Sequence, residues 1–293
     1  MSEQQADEKA KNDALLFGYL GSHLVALCGA YVPVDGQGSP GGPEQGFSAS
    51  GFVIELDGTW YFITAGHVLG ESIGDHIASG RVKLNHCSLA DYFGRNAKNY
   101  HPTVISYDAA PKFHVDDWAL GLDIGVLQLR PLYVEGLKSN GVVAIPEAQW
   151  LEGDATNEQR FAILGLPDEE KTPHSGDPVA GYVRPCIAGV TPCGLPENAA
   201  PPTNSIFVGR LNSGEPDSMV GFSGGPIFRL RQEQGGLRCW LHALQSRWRQ
   251  SERVVMGCPM TIVARLIRER LGSTQLSDNP KPAEPGAAPD PAT

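Results

Sequence analysis

The 293-residue chain is short of positive charge: 23 Lys and Arg stand against 33 Asp and Glu, a formal net charge of −10. That deficit argues against a nucleic-acid partner, because phosphate binding works by Lys and Arg displacing counterions. Long apolar runs are missing too. The stretch Ala14–Val32 is broken by Gly18, Ser22 and His23, and nothing else approaches the roughly 20 apolar residues of a membrane span. The residues ahead of it mix Glu3, Asp7 and Glu8 with Lys9 and Lys11, whereas an export signal starts positive. A short helix feeding a first strand is expected there, with no membrane association and a cytoplasmic location.

Six cysteines are present, but no C-x-x-C pair and no histidine pair at helical spacing. Without an export signal, reduced thiols are expected rather than three bridges. His86 and Cys87 are adjacent, and neighbours on a strand point to opposite faces. No metal site and no cofactor are expected. No repeat of fixed period is visible either.

What the chain does have is a succession of short apolar runs punctuated by Gly, Pro and Asp. They are Leu24–Val34, Ser48–Leu56, Trp60–Ala65, Arg81–Leu84 and Ile124–Leu129 in the first half. In the second come Phe161–Leu166, Val179–Val183, Ser205–Leu211, Gly225–Leu230, Cys239–Gln245 and Val254–Gly257. Many short strands with turn signals between them predict an all-β barrel or sandwich. Asp57-Gly58 is a hairpin turn signal. The polar stretch Gln149–Gln159 reads as a linker between two β modules. Pro259–Leu271 carries Ile262, Val263, Leu266, Ile267 and Leu271 on one helical face, with a cap at Thr261 or the residue before it. The Pro- and Ala-rich end cannot bury enough to order itself. The division is 1–23 helical segment, 24–150 first module, 151–271 second module with the C-terminal helix, and 272–293 disordered tail.

Three segments carry chemistry. Thr64-Ala65-Gly66-His67 ends a β-type run, Asp123 opens the apolar run Ile124-Gly125-Val126-Leu127, and Gly221-Phe222-Ser223-Gly224-Gly225-Pro226 surrounds a serine with small residues. A serine hydroxyl needs an imidazole to take its proton during attack. The imidazole in turn needs a carboxylate on its other nitrogen. Asp116 and Asp117 could also orient a histidine, but they read as part of a polar loop. G-x-S-x-G also fits the nucleophile elbow of α/β-hydrolases, which places its acid and histidine after the serine. Here only His242 follows, and βαβ alternation is missing.

In order and sequence these segments resemble the three signatures of trypsin/chymotrypsin-like serine peptidases. The likeness runs over roughly residues 24 to 271. It implies two antiparallel six-stranded β-barrels, His67 as general base and acid, Asp123 as its orienter, Ser223 as nucleophile, and Gly221 and Ser223 N–H groups as the oxyanion hole. It places Asp217 six residues before the nucleophile, at the base of a pocket that would select Arg or Lys. The same residue also reads as a plain loop acid beside Glu215 and Pro216. The strand before Arg247 would line that pocket, which brings in Gln245, Ser246 and Arg247; Arg247 would neutralise Asp217 or favour acidic substrates. Phe222 stands where digestive members carry an acid that pairs with a freshly cut N-terminus, so propeptide activation is not expected. The implied partner is a protein or peptide substrate. A regulatory protein that orders Asp217–Gly225 is a further expectation, since a free endopeptidase endangers its own cell. A catalytically silent peptide-binding or scaffold module on the same fold stays open as the alternative.

Overall fold

The computed structural model describes residues 11, 14–35, 39–91, 93, 102–150, 159–168, 171–174, 177–183, 185–197, 199–234 and 236–272. Most of the expected linker and the tail from 273 on lie outside these residues. A helix over residues 14–20 leads into the first module. Its main strands are β1 (Leu24–Pro33), β2 (Gln45–Leu56), β3 (Thr59–Thr64), β4 (Val82–Ala90), β5 (Lys112–Asp117) and β6 (Leu122–Gln128). With two-residue strands at Thr103–Val104 and Ile145–Pro146 they form one eight-stranded sheet. Its path runs from Thr103–Val104 through β4, β1, β2, β3 and β6 to β5, and Ile145–Pro146 pairs with β2.

The second module holds β7 (Arg160–Gly165), β8 (Cys186–Pro192), β9 (Phe207–Leu211), β10 (Pro226–Glu233), β11 (Gly236–Arg249) and β12 (Val254–Pro259). These six close into a barrel in the order β8-β9-β12-β11-β10-β7. The expected double-barrel plan is therefore seen as one closed barrel beside a larger sheet whose path stays open among the described residues.

Strand alternation explains how the cores are divided. On β3, Trp60 and Phe62 enter the cluster inside the first module, while Tyr61 and Ile63 face the other way. The outward set meets Leu164, Phe228, Leu241 and Leu244 of the second module. A third cluster, with Phe161, Ile163, Phe207, Phe222 and Ala243, fills the second barrel. The cluster between modules is sealed by the C-terminal helix Met260–Arg270, which buries Val263, Ala264, Leu266 and Ile267. Burying one such large aliphatic side chain contributes about 1.5–3 kcal/mol, so this helix joins the modules as well as ending the second one. Arg268 on its outer face grips Asp57 (2.9 Å) and Glu147 (3.0 Å) of the first module.

The Asp57-Gly58 turn forms as expected, with φ of 51° and 75°, the left-handed pair of a tight hairpin. Several expectations need correction. Asp116 and Asp117 lie on β5, not in a loop; its exposed outer face gave the strand a polar look. The run at Arg81–Leu84 extends to Ala90, because β4 is polar at its start and buried at its end. Pro131–Ser139 is a helix that was not anticipated, opening with proline at its first turn. The C-terminal helix starts at Met260 after Pro259, with no side-chain cap.

Candidate active site

His67 sits in the single helical turn Gly66–Leu69 that follows β3. Its ring is anchored from below by Asp123, the second residue of β6, whose side chain is only 2% exposed. The carboxylate holds the histidine twice. The His67 backbone N–H donates to Asp123 Oδ1 at 3.0 Å, and Nδ1 meets Oδ2 at 2.9 Å. The two grips fix both the ring plane and which nitrogen faces outward. The hydrogen bond to Asp123 outweighs burial and pushes the His67 imidazole above its ordinary value of 6.5. Nε2 makes no hydrogen bond among the described residues.

Ser223 belongs to a loop shaped by backbone bonds. The Val220 carbonyl accepts from Asp168 N–H (3.1 Å), and the Phe222 carbonyl accepts from Gly225 N–H (2.8 Å). No peptide bond is cis, and in a trans peptide the carbonyl and N–H point opposite ways. Pinning those two carbonyls turns the Gly221 and Ser223 N–H groups to the other side, where neither donates to the described protein. The loop depends on Gly221 (φ 91°) and Gly224 (φ 96°), in the left-handed region. A Cβ at Gly224 would also sit 2.2 Å from the Ser50 carbonyl oxygen. The Ser223 hydroxyl donates to the Ser246 carbonyl at 3.4 Å.

Two cavities meet at His67. One, about 560 Å³, is lined by Asp116, Trp118, Ser246, Arg247 and Trp248 among others. The second, about 760 Å³, holds Ser223, Gly221, Val220, Phe47 and again Trp248. His67, Asp123, Ser223, Gly221, Ser246 and Arg247 are thus brought to one cleft between the modules. Asp217 is not. Its side chain is fully exposed and pairs with Arg253 at 3.1 Å, so it is not a buried carboxylate at a pocket base. Arg247 pairs with Asp116 across the cleft, not with Asp217, and its guanidinium lies over the Trp118 ring. Gln245 is wholly buried; it serves through its backbone, accepting from Gly224 N–H at 2.9 Å.

A family model for the trypsin-like peptidase domain matches residues 49–235, which carry all three signature segments. The chain belongs to the trypsin-like peptidase family. It is a serine peptidase, a hydrolase, and its mostly β architecture is that of the family. No curated protein matches this peptidase in sequence. Among solved structures, it is similar to Deg5 at 16% identity and TM-score 0.47, covering 90% of this chain and 94% of that one. It is similar to the thermostable serine protease AL20, from an extremophilic microorganism, at 16% identity and TM-score 0.45, covering 84% and 96%. The HtrA-type protease AlgW, solved with a decapeptide, matches at 12% identity and TM-score 0.46, covering 89% and 67%.

The six cysteines of the peptidase are free thiols. Phe222, in place of the acid of digestive members, is fully buried in the second core. No helix among the described residues is long and apolar enough to cross a membrane. Two site residues escaped the sequence reading, Ser50 and Trp248, and Thr64 was read only as part of the segment that leads to His67. Trp248 lines both cavities and lies two residues past Ser246, within reach of strand arithmetic. Ser50 had no signal at all, because its partners are distant in sequence.

Proposed function

We propose that this peptidase cleaves peptide bonds through an acyl-enzyme on Ser223. His67 Nε2 takes the hydroxyl proton as Oγ attacks the substrate carbonyl carbon, and Asp123 steadies the imidazolium that forms. The Gly221 and Ser223 N–H groups receive the oxyanion. Collapse of the tetrahedral adduct breaks the C–N bond, and Nε2 returns the proton to the leaving amine. Water then repeats the sequence and releases the acyl half. The observation that carries this reading is the doubly held His67 beside a nucleophile loop with two unspent N–H groups. The Ser223 hydroxyl has to turn from the Ser246 carbonyl toward Nε2, the kind of tightening that acid–base pairs undergo when substrate arrives.

A peptide substrate suits the cleft. Past Leu244, β11 leaves β10 and keeps β12 on its other edge, so an extended chain could lie along the free side beside Ser246 and Trp248. The regulatory partner expected from sequence gains no support from the loop. Its carbonyls at Val220, Gly221 and Phe222 all have partners within the chain. We propose activity without an added partner, and cleavage of denatured casein by the purified chain tests it.

A fluorophosphonate probe tests the chemistry. Wild type is expected to label at Ser223, whereas Ser223→Ala has no hydroxyl to label and His67→Ala should label barely at all; in peptide hydrolysis either change should lower kcat by about a millionfold, as expected when one member of such a unit is removed. A folded wild type that never labels would leave the binding-module alternative standing.

A further inference from the structure

Ser50 lies on β2 of the first module, wholly buried, and its hydroxyl makes two bonds, both to the second module. It donates to the Gly221 carbonyl at 2.7 Å and accepts from Leu166 N–H at 2.8 Å. Its own carbonyl accepts from the Thr64 hydroxyl at 2.7 Å, and Thr64 stands three residues before His67. Gly224 rests on the same spot, since a Cβ there would meet Ser50 O at 2.2 Å and Thr64 Oγ1 at 2.3 Å. Gly221 and Gly224, which bracket Phe222 and Ser223, are therefore both seated on Ser50 and Thr64 of the other module.

We infer that Ser50 is a positioning residue for the oxyanion site. This rests on the reading that Gly221 N–H is an oxyanion donor. Gly221 has two peptide planes. Asp168 N–H holds the plane before it through the Val220 carbonyl, and the Ser50 hydroxyl holds the plane after it. Both dihedrals of a residue at φ 91° are set by these two bonds together with that from Phe222 N–H to the Met219 carbonyl, at 3.1 Å and in the second plane. Glycine has no side chain to keep it there. Removing the hydroxyl strands the Gly221 carbonyl and Leu166 N–H in a buried place, and leaves the Gly221–Phe222 plane held only by Phe222 N–H on the Met219 carbonyl, free to turn toward a new partner for its carbonyl. A turn of that plane changes ψ at Gly221, and the strain passes through the residue to the plane before it, whose N–H then loses its fixed aim at the oxyanion. The His67–Asp123 pair, on the turn after β3 and on β6, is left as it is.

The test compares wild type, Ser50→Ala and Ser50→Thr, which keeps a hydroxyl. Three quantities are read: the fluorophosphonate labelling rate against pH, casein hydrolysis, and amide hydrogen exchange over residues 219–225. In Ser50→Ala the plateau labelling rate and casein turnover should fall about tenfold to a hundredfold, the range of a weakened oxyanion donor. The pH midpoint should stay put, exchange over 219–225 should quicken, and Ser50→Thr should recover most of the rate. A shifted midpoint would mean that the whole cleft moved and would overturn the inference. So would unchanged exchange over 219–225, whether or not the protein is active. A wild type that does not label, with exchange that quickens in Ser50→Ala, would sink the peptidase chemistry while the loop-setting role of Ser50 stood.

Discussion

On the first module the Asp123 side chain holds His67 by two bonds, one to its ring and one to its backbone N–H. On the second module nothing comparable holds Ser223; its surroundings are set by carbonyls and N–H groups of a glycine-bearing loop. The side-chain pair is self-contained within the first module. The loop borrows its seat from Ser50 and Thr64 of that same module. The difference teaches where each half is vulnerable: the pair to loss of a functional group, the loop to added bulk or a lost distant hydroxyl.

Changes on either side should therefore fail differently. The largest effect short of removing Ser223 or His67 is expected from Asp123→Asn, which keeps the shape and loses the charge. Its labelling rate should drop about 10⁴-fold, with exchange over 219–225 unchanged; a loop that loosened would erase the distinction between the two sides. Gly224→Ala comes next. It forces an L residue to φ 96° and against the Ser50 carbonyl, and should slow labelling by at least about a hundredfold while costing about 1–3 kcal/mol of stability in urea unfolding. The pH midpoint of its residual activity should match wild type. The smallest effect is the midpoint itself. Asp123 raises the His67 value, and attack needs the neutral ring, so the labelling rate should climb with pH through a midpoint above 6.5. The midpoint should fall in Asp123→Asn. Stability runs the other way. A raised histidine value stabilises the fold fully below the unfolded value and loses that contribution as pH rises through the folded one, so the pair contributes least to the fold where it is most able to act.

Much of this was legible in the chain. His67, Asp123 and Ser223 each stand at the border of an apolar run, and the alternation of those runs located most strands. β5 was missed because only one of its faces is covered, so Asp116 and Asp117 read as loop. Asp217 was placed in a pocket by counting back from Ser223, yet counting does not say which way a side chain turns, and Arg253 draws it to the surface. Arg247 was recognised as relevant but given the wrong carboxylate, since Asp116 is 131 residues away in sequence. Ser50 fails for the same reason in a stronger form: a lone serine in a strand has no local pattern, and both its partners are backbone groups of a module not yet made when it is read.

The shared seat also orders events in time. Ser50 and Thr64 leave the ribosome before Ser223 and the strands that close the second barrel. Until the modules dock, the glycine loop has no hydroxyls to rest on and its N–H groups face no common point. A growing or partly opened chain is accordingly blunt toward its neighbours, and the capacity to cut arrives only with the last stage of assembly.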